Sequence, residues 1–230
     1  MPVMNEYVPG RLVYSCVVGS RAYGLHGPDS DTDRRGVYLA PTPAFWGLDK
    51  PPSHVEGPAP EQFSWELERC CVLALEANPT VLECLWSPVV EFVNDTGREL
   101  LRIRGAFVSQ RVGETYGAYA RGQMSRLEAA LARTGEVRWK QAMHMVRLLL
   151  AGAHVLRTGE VLVDVSAYRD ELLTIRRGEV PFPEVRARAD RLAEELATAR
   201  AATAIPVEPD RATVSDFLVR VRRASAVQSE

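Results

Sequence analysis

The stretch Val17-Val-Gly-Ser-Arg-Ala-Tyr-Gly-Leu-His-Gly-Pro-Asp-Ser-Asp-Thr-Asp33 decides how this chain is read. Ahead of it, Arg11 to Val18 is apolar and rich in β-branched residues, which predicts a buried strand stopping at the Gly19-Ser20 turn. A short helical piece over Arg21 to His26, a polar loop over Gly27 to Asp33 and a second strand over Gly36 to Ala40 are expected to follow. A Gly-Ser turn at a strand end exposes backbone N–H groups and one hydroxyl, a cradle for phosphate oxygens. Asp31 and Asp33 stand two residues apart at the entry to the next strand, so their carboxylates point to the same face. Two hard oxygen ligands at that spacing suit Mg²⁺, which takes one or two carboxylates together with substrate phosphates. Together these parts describe a site for a nucleoside triphosphate (NTP) and its metal.

Working outward, proline and glycine dominate Pro41 to Pro60, which reads as an irregular loop, and Glu61 to Trp65 reads as a third short strand. A helix is expected from Glu66 through Ala77. Asn78-Pro79 is a helix-start signature, Asn capping and Pro in the first turn, for a second helix reaching about Trp86. Val89 to Phe92 is extended. The pattern then turns to amphipathic helices at about Thr96 to Arg104, Glu114 to Arg133, Trp139 to Arg157, Ala167 to Arg177, Pro183 to Ala201 and Ala212 to Arg223, with Gly159 and Gly178 as C-caps. A boundary near 105–112 divides the chain. The expected class is α+β: a small mixed sheet with flanking helices over residues 1–108, then an all-α domain over 109–230.

Composition narrows the class further. With 230 residues, 46% of them hydrophobic, the chain can bury a real core. Its apolar runs, such as Leu148 to Ala153, are far short of the roughly 18 to 20 residues a membrane span needs. Met1 to Arg11 lacks a basic segment followed by an apolar run, so no leader is read and a cytoplasmic location is expected. Cys16, Cys70, Cys71 and Cys84 show no CxxC pair and read as buried reduced thiols. Residues 1–114 hold 10 basic and 15 acidic residues, residues 115–230 hold 18 and 15, and the net charge is -2. Near-neutrality argues against tight non-specific binding to nucleic acid.

With strands on both sides, the Gly-Ser turn and the Asp-x-Asp pair resemble the signature of the DNA-polymerase-β-like nucleotidyltransferase superfamily. A narrower resemblance spans four blocks in order: Gly19-Ser-Arg-Ala-Tyr-Gly-Leu, Asp29-Ser-Asp-Thr-Asp-Arg-Arg-Gly-Val-Tyr, Asn78-Pro-Thr-Val-Leu-Glu and Lys140-Gln-Ala-Met-His-Met-Val-Arg147. Together they are similar to the bacterial predicted nucleotidyltransferases associated with RNA repair. One departure is Arg34, where such proteins more often carry an apolar residue. The resemblance implies a third carboxylate on a neighbouring strand, completing the metal site and serving as general base. Glu61 fits best, with Glu66 and Glu68 as competitors. Glu61→Gln is then expected to be damaging and Glu66→Gln mild.

The implied reaction transfers a nucleoside monophosphate from an NTP such as ATP to a hydroxyl, with pyrophosphate leaving and an RNA end as the acceptor. Two Mg²⁺ ions would be held by Asp31, Asp33 and Glu61, while Gly19, Ser20 and Arg21 would take the phosphates. Lys140, His144 and Arg147 share one helix face, where they either bind triphosphate or nucleic-acid backbone or leave His144 as a satisfied core residue with the others in ion pairs. Tyr116, Tyr119 and Gln123 read as packing, with base stacking as the alternative. Trp65, Trp86 and Trp139 read as core. The competing class is a non-catalytic nucleotide-binding or regulatory protein with a degenerate pocket. Base preference, acceptor identity and oligomeric state are not fixed by these residues.

Overall fold

A computed structural model describes residues 8–59 and 61–227. Residues 1–7, part of the stretch read above for a leader, lie outside the described residues, as do Pro60 and 228–230. The fold is α+β: among the described residues there are nine α-helices and one five-stranded mixed sheet. No helix among them is long and apolar enough to cross a membrane.

Strand β1 (Arg11–Val18) is buried from its second residue on and lies between β2 (Asp33–Leu39) and β5 (Val90–Val93), antiparallel to both. A nearly continuous apolar run, broken only by the buried Ser15, is what a strand covered on both faces calls for. β2 also pairs in parallel with β4 (Gln62–Glu66), and β3 (His54–Glu56) closes the edge antiparallel to β4, giving the order β3-β4-β2-β1-β5. β2 begins at Asp33 rather than Gly36. Backbone pairing of Asp33 with Val18 and Arg34 with Val17 carries the ladder through a polar segment that composition alone assigns to a loop. The Pro/Gly-rich stretch likewise hides β3 and a one-turn 3₁₀ helix, Thr42–Phe45.

Helix α1 (Gly19–Ala22) starts two residues earlier than expected and ends at Ala22. Two helices follow the sheet strands. α2 (Leu67–Leu75) is capped by the Glu66 carboxylate, which accepts from Glu68 N at 2.7 Å. α3 (Pro79–Leu85) is capped by Asn78 Oδ1, accepting from the N–H groups of Thr80 and Val81. α4 (Asp95–Arg102) follows β5. All four cysteines are free and buried, with Cys16 Sγ 3.5 Å from Cys84 Sγ. Trp65 is buried as expected. Trp86 and Trp139 are only half-buried, and the guanidinium of Arg104 lies 4.8 Å from the Trp86 ring centre.

The chain groups into two units: residues 8–22, 26–107 and 209–227, and residues 23–25 and 108–208. In the helical unit, α6 (Trp139–Thr158) is central, with α5 (Arg111–Thr134), α7 (Arg169–Arg176) and α8 (Phe182–Ala202) around it. Every residue from Met145 to Ala153 of α6 is buried, all of them apolar or glycine except Arg147, the mark of a helix enclosed on all sides. The last helix, α9 (Arg211–Val227), belongs to the sheet unit. There Arg222 donates to the Glu66 carboxylate at 2.9 Å and to Ala40 O at 3.2 Å, and Glu66 also accepts from Ala40 N. Glu66 is 3% exposed, so it serves as both a helix cap and a buried ion-pair partner.

Candidate active site

The Gly-Ser turn and the second aspartate meet at the end of the β1–β2 ladder. Gly19 has φ +69, the left-handed region, and a Cβ placed on it would fall 2.2 Å from Asp33 Oδ2. Only glycine lets that backbone and that carboxylate share the space. Asp33 is half-buried and Asp31 exposed. Among the described residues neither carboxylate makes a hydrogen bond or ion pair, and Ser20 Oγ, half-buried next to Gly19 in sequence, makes none either. Two unneutralised carboxylates next to a Gly-Ser turn are a chemically suitable donor set for a hard divalent cation that completes its shell with water and phosphate oxygens.

Arg21 has a role that the sequence did not reveal. Its Nη2 donates to Ser30 O at 2.8 Å and its Nε to Asp31 O at 3.3 Å, while Ser30 Oγ accepts from Gly27 N at 2.9 Å. The guanidinium thereby ties down the acidic loop by its backbone, leaving the Asp31 carboxylate outward. Arg34, the departure noted above, is accounted for by a forked ion pair with Glu91 of β5, at 3.1 and 3.0 Å.

The three candidates for a third carboxylate separate by position. Arg34 pairs with Gln62 and Tyr38 with Glu66, so Glu61 precedes β4 at the Asp33 end of the ladder. Glu66 lies five residues further along, about 16 Å away at 3.3 Å per residue. Buried, capping and paired with Arg222, Glu66 is committed to structural contacts, so Glu66→Gln is expected to cost stability whatever its effect on transfer. Glu68 is 3.6 Å from the same arginine. Glu61 has φ +59, and its carbonyl accepts from Arg34 N at 3.1 Å and from Arg35 Nη1 at 2.7 Å. Its side chain is exposed. Among the described residues no group of three or more His, Cys, Asp and Glu side chains is gathered around a possible metal position.

Lys140, His144 and Arg147 lie in the helical unit. Lys140 is exposed, His144 half-buried and Arg147 buried. The Arg147 guanidinium carbon stands 3.8 Å from the Tyr23 ring centre, and the Tyr23 and His144 rings meet edge to face at 6.2 Å. Sequence reasoning missed Tyr23, which sits within the Gly-Ser motif but is built into the helical unit: its carbonyl accepts from Val165 N at 3.1 Å. Tyr116 is fully buried, in agreement with packing, whereas Tyr119 is 46% exposed, and Gln123 accepts from Gln141.

Burial, reinforced by the positive charges of Arg147, Lys140 and Arg176, pushes His144 down to about 4. A histidine whose folded value lies below its unfolded value of about 6.5 favours folding above that pH, and the contribution is lost as pH falls toward 4. The expected loss is on the order of 3 kcal/mol between pH 7 and 4. His144→Asn should therefore flatten the acid decline of the thermal midpoint. An unchanged pH profile in the variant would show that His144 does not titrate in this range.

Removing the special geometry at Gly19 should be costly. Gly19→Ala places a side chain at positive φ, a strain of about 1–2 kcal/mol, and displaces the Asp33 carboxylate. The double variant Gly19→Ala/Asp33→Ala should recover part of the lost thermal midpoint, because the clash is gone. Strict additivity of the two changes would mean that turn and carboxylate do not compete for the space.

The mixed sheet and the glycine turn packed against an aspartate agree with the polymerase-β-like class that the family match gives. The chain belongs to the RNA repair pathway DNA polymerase beta family (RlaP), whose profile matches residues 3–220. It is 26% identical over 189 residues to the uncharacterized protein YcgL of Bacillus subtilis strain 168, covering 80% of this chain and 69% of that protein. No solved structure matches it.

Proposed function

We propose that this protein is a metal-dependent nucleotidyltransferase that moves a nucleoside monophosphate from an NTP to a hydroxyl, an RNA end being the acceptor, with release of pyrophosphate. The observation that carries the reading is the Asp33 carboxylate laid against Gly19, with Asp31 two residues away and both without an ion-pair partner among the described residues. Family membership supports the class of chemistry. Asp31 and Asp33 would hold Mg²⁺, which when bound supplies charge neutralisation at the phosphates and a more acidic acceptor hydroxyl. Gly19 N–H and Ser20 Oγ are the donors for the β- and γ-phosphate oxygens. Arg21 fixes the loop that carries Asp31. Glu61, at the Asp33 end of β4 with an exposed side chain, is the candidate third ligand and general base. Lys140, His144 and Arg147 are the candidate anion-binding group of the helical unit; at neutral pH His144 contributes as an uncharged hydrogen-bonding ring.

A second reading, a nucleotide-binding protein without catalysis, draws on the same site. The Glu61 side chain is not gathered with the aspartates in this arrangement. One experiment separates the two: incubation with Mg²⁺, each of the four α-³²P-labelled NTPs and a mixed RNA pool, following label on RNA and free pyrophosphate. Label on RNA with pyrophosphate release supports the enzyme and names the base. Pyrophosphate or label on another acceptor removes RNA from the proposal, and Mg²⁺-dependent NTP binding without either product establishes the non-catalytic reading.

A further inference from the structure

The face of the sheet that carries Asp33 continues into an aromatic strip at the β3 edge. Along β2, Asp33 and Arg35 are one pleat period apart and share a face. Register pairs Arg35 with Phe63, Phe63 with Glu56, and Trp65 with His54, which places all of these side chains on that same face. The strip is graded in exposure: Trp65 is buried, Phe63 and Arg35 are half-buried, and His54 and Glu56 are exposed. Phe63 meets Trp65 edge to face at 5.0 Å and 74°, and His54 lies nearly parallel to Phe63 at 5.1 Å and 23°. The Arg35 guanidinium carbon is 5.9 Å from the Phe63 ring centre. Its Nη1 is committed to Arg34 O and Glu61 O, which holds the guanidinium in place and leaves its other N–H groups without a partner among the described residues.

A buried tryptophan set edge-on behind a half-buried phenylalanine, itself covered by an exposed, stacked imidazole, leaves the His54 ring, backed by Phe63, as the flat face at the solvent end. Flat π-surfaces beside a fixed guanidinium are how proteins hold a base together with its phosphate. The charges orient such a ligand. Arg35, one pleat from Asp33, attracts phosphate, whereas the Glu56 carboxylate on the outer side repels phosphate and accepts hydrogen bonds from base amino groups. Spacings of about 7 Å along the strand and about 5 Å between strands put Phe63 within about 10 Å of Asp33, the reach of a single nucleotide.

We propose that Arg35, Phe63 and His54 form a nucleobase-stacking platform that seats one nucleotide beside the Asp31/Asp33 pair, phosphate toward Arg35 and base toward His54. This rests on the nucleotidyltransferase reading. The shared chemistry is a base with its phosphate, supplied either by the terminus of a single-stranded RNA acceptor or by the incoming NTP.

The test compares the wild type, His54→Ala and Phe63→Leu in three binding measurements: anisotropy of a labelled single-stranded RNA decamer, calorimetry with each Mg²⁺–NTP, and calorimetry with Mg²⁺–inorganic triphosphate, which has no base. His54 is exposed, so His54→Ala should keep the wild-type thermal midpoint, and Phe63→Leu retains an apolar side chain. Both variants should weaken one base-bearing probe about tenfold while triphosphate binding is unchanged. Weakening of RNA alone assigns the platform to the acceptor, and weakening of NTP alone assigns it to the donor nucleotide. Equal weakening of triphosphate would show general damage to the site and overturn the proposal. So would wild-type affinity of both variants for both base-bearing probes. If the wild type itself binds none of the three, the nucleotidyltransferase reading falls and the platform with it; if the wild type binds and the variants match it, the platform alone falls.

Discussion

On the nucleotidyltransferase reading proposed above, Asp33→Ala should abolish nucleotidyl transfer, by about 10³-fold or more, with no loss of fold. The size follows from what a metal-holding carboxylate does in phosphoryl chemistry: several kcal/mol of charge stabilisation at the reacting phosphate, at about 1.4 kcal/mol for each factor of ten in rate. The intact fold follows from the environment of the side chain. Asp33 is half-buried and makes no ion pair or hydrogen bond among the described residues, so removing the carboxylate leaves no orphaned partner. The thermal midpoint should stay within about 1–2 °C of wild type, as for substitutions that break no partnered group. Transfer and Mg²⁺-dependent NTP binding should disappear together. Turnover within tenfold of wild type in this variant would remove Asp33 from the metal site and with it the central assignment.

The second large effect lies away from the chemistry. Arg222→Ala should destabilise the protein by about 3–5 kcal/mol, which for a chain of this size is roughly a 10 °C fall in thermal midpoint. Glu66 is buried in full, accepts from Ala40 N and Glu68 N, and has Arg222 as its countercharge, whose own side chain is only 16% exposed. Deleting the arginine strands a buried carboxylate. It also removes the stack of the guanidinium on Phe45, 4.1 Å from the ring centre, and the bond to Ala40 O. Glu66→Gln, uncharged and still able to cap, should cost less than Arg222→Ala, and the double variant should recover part of the loss because no uncompensated charge remains. Calorimetric midpoints at neutral pH decide this. A midpoint for Arg222→Ala equal to wild type would show that the pair is dispensable.

Comparison of these two sites shows what the sequence makes legible. Arg11 to Val18 could be read as a strand because one covered on both faces is apolar along almost its whole length. Helix starts such as Asn78-Pro79 could be read because capping is a local interaction whose donors and acceptor lie within four residues. The Gly-Ser turn and the aspartates stand out as a motif for the same reason, residue type and spacing being local, and the structure brings Asp33 against Gly19. The function of Glu66 was not, since its countercharge stands 156 residues further along the chain, and a carboxylate near the end of a strand looks alike in sequence whether it faces a metal or an arginine. The part played by Arg21 was equally hidden, because a guanidinium that donates to backbone carbonyls leaves no side-chain partner for sequence reasoning to find. β3 escaped because three residues at a sheet edge, set among prolines and glycines, carry no period to detect.

The way the chain is shared between its units has a consequence for how this protein can be taken apart. The backbone leaves the sheet unit after Ala22, spends three residues in the helical unit, returns at His26, leaves again after Phe107 and comes back at Pro209. A polypeptide ending at 108 would therefore lack α9 and the arginine that neutralises Glu66, and would carry Tyr23 without the helix against which its ring is set. Neither unit is a separable module. Genetic exchange that swaps a helical half for another at the single boundary near 108 should yield insoluble chimeras, whereas loop insertions at exposed positions such as Leu48 should be accepted.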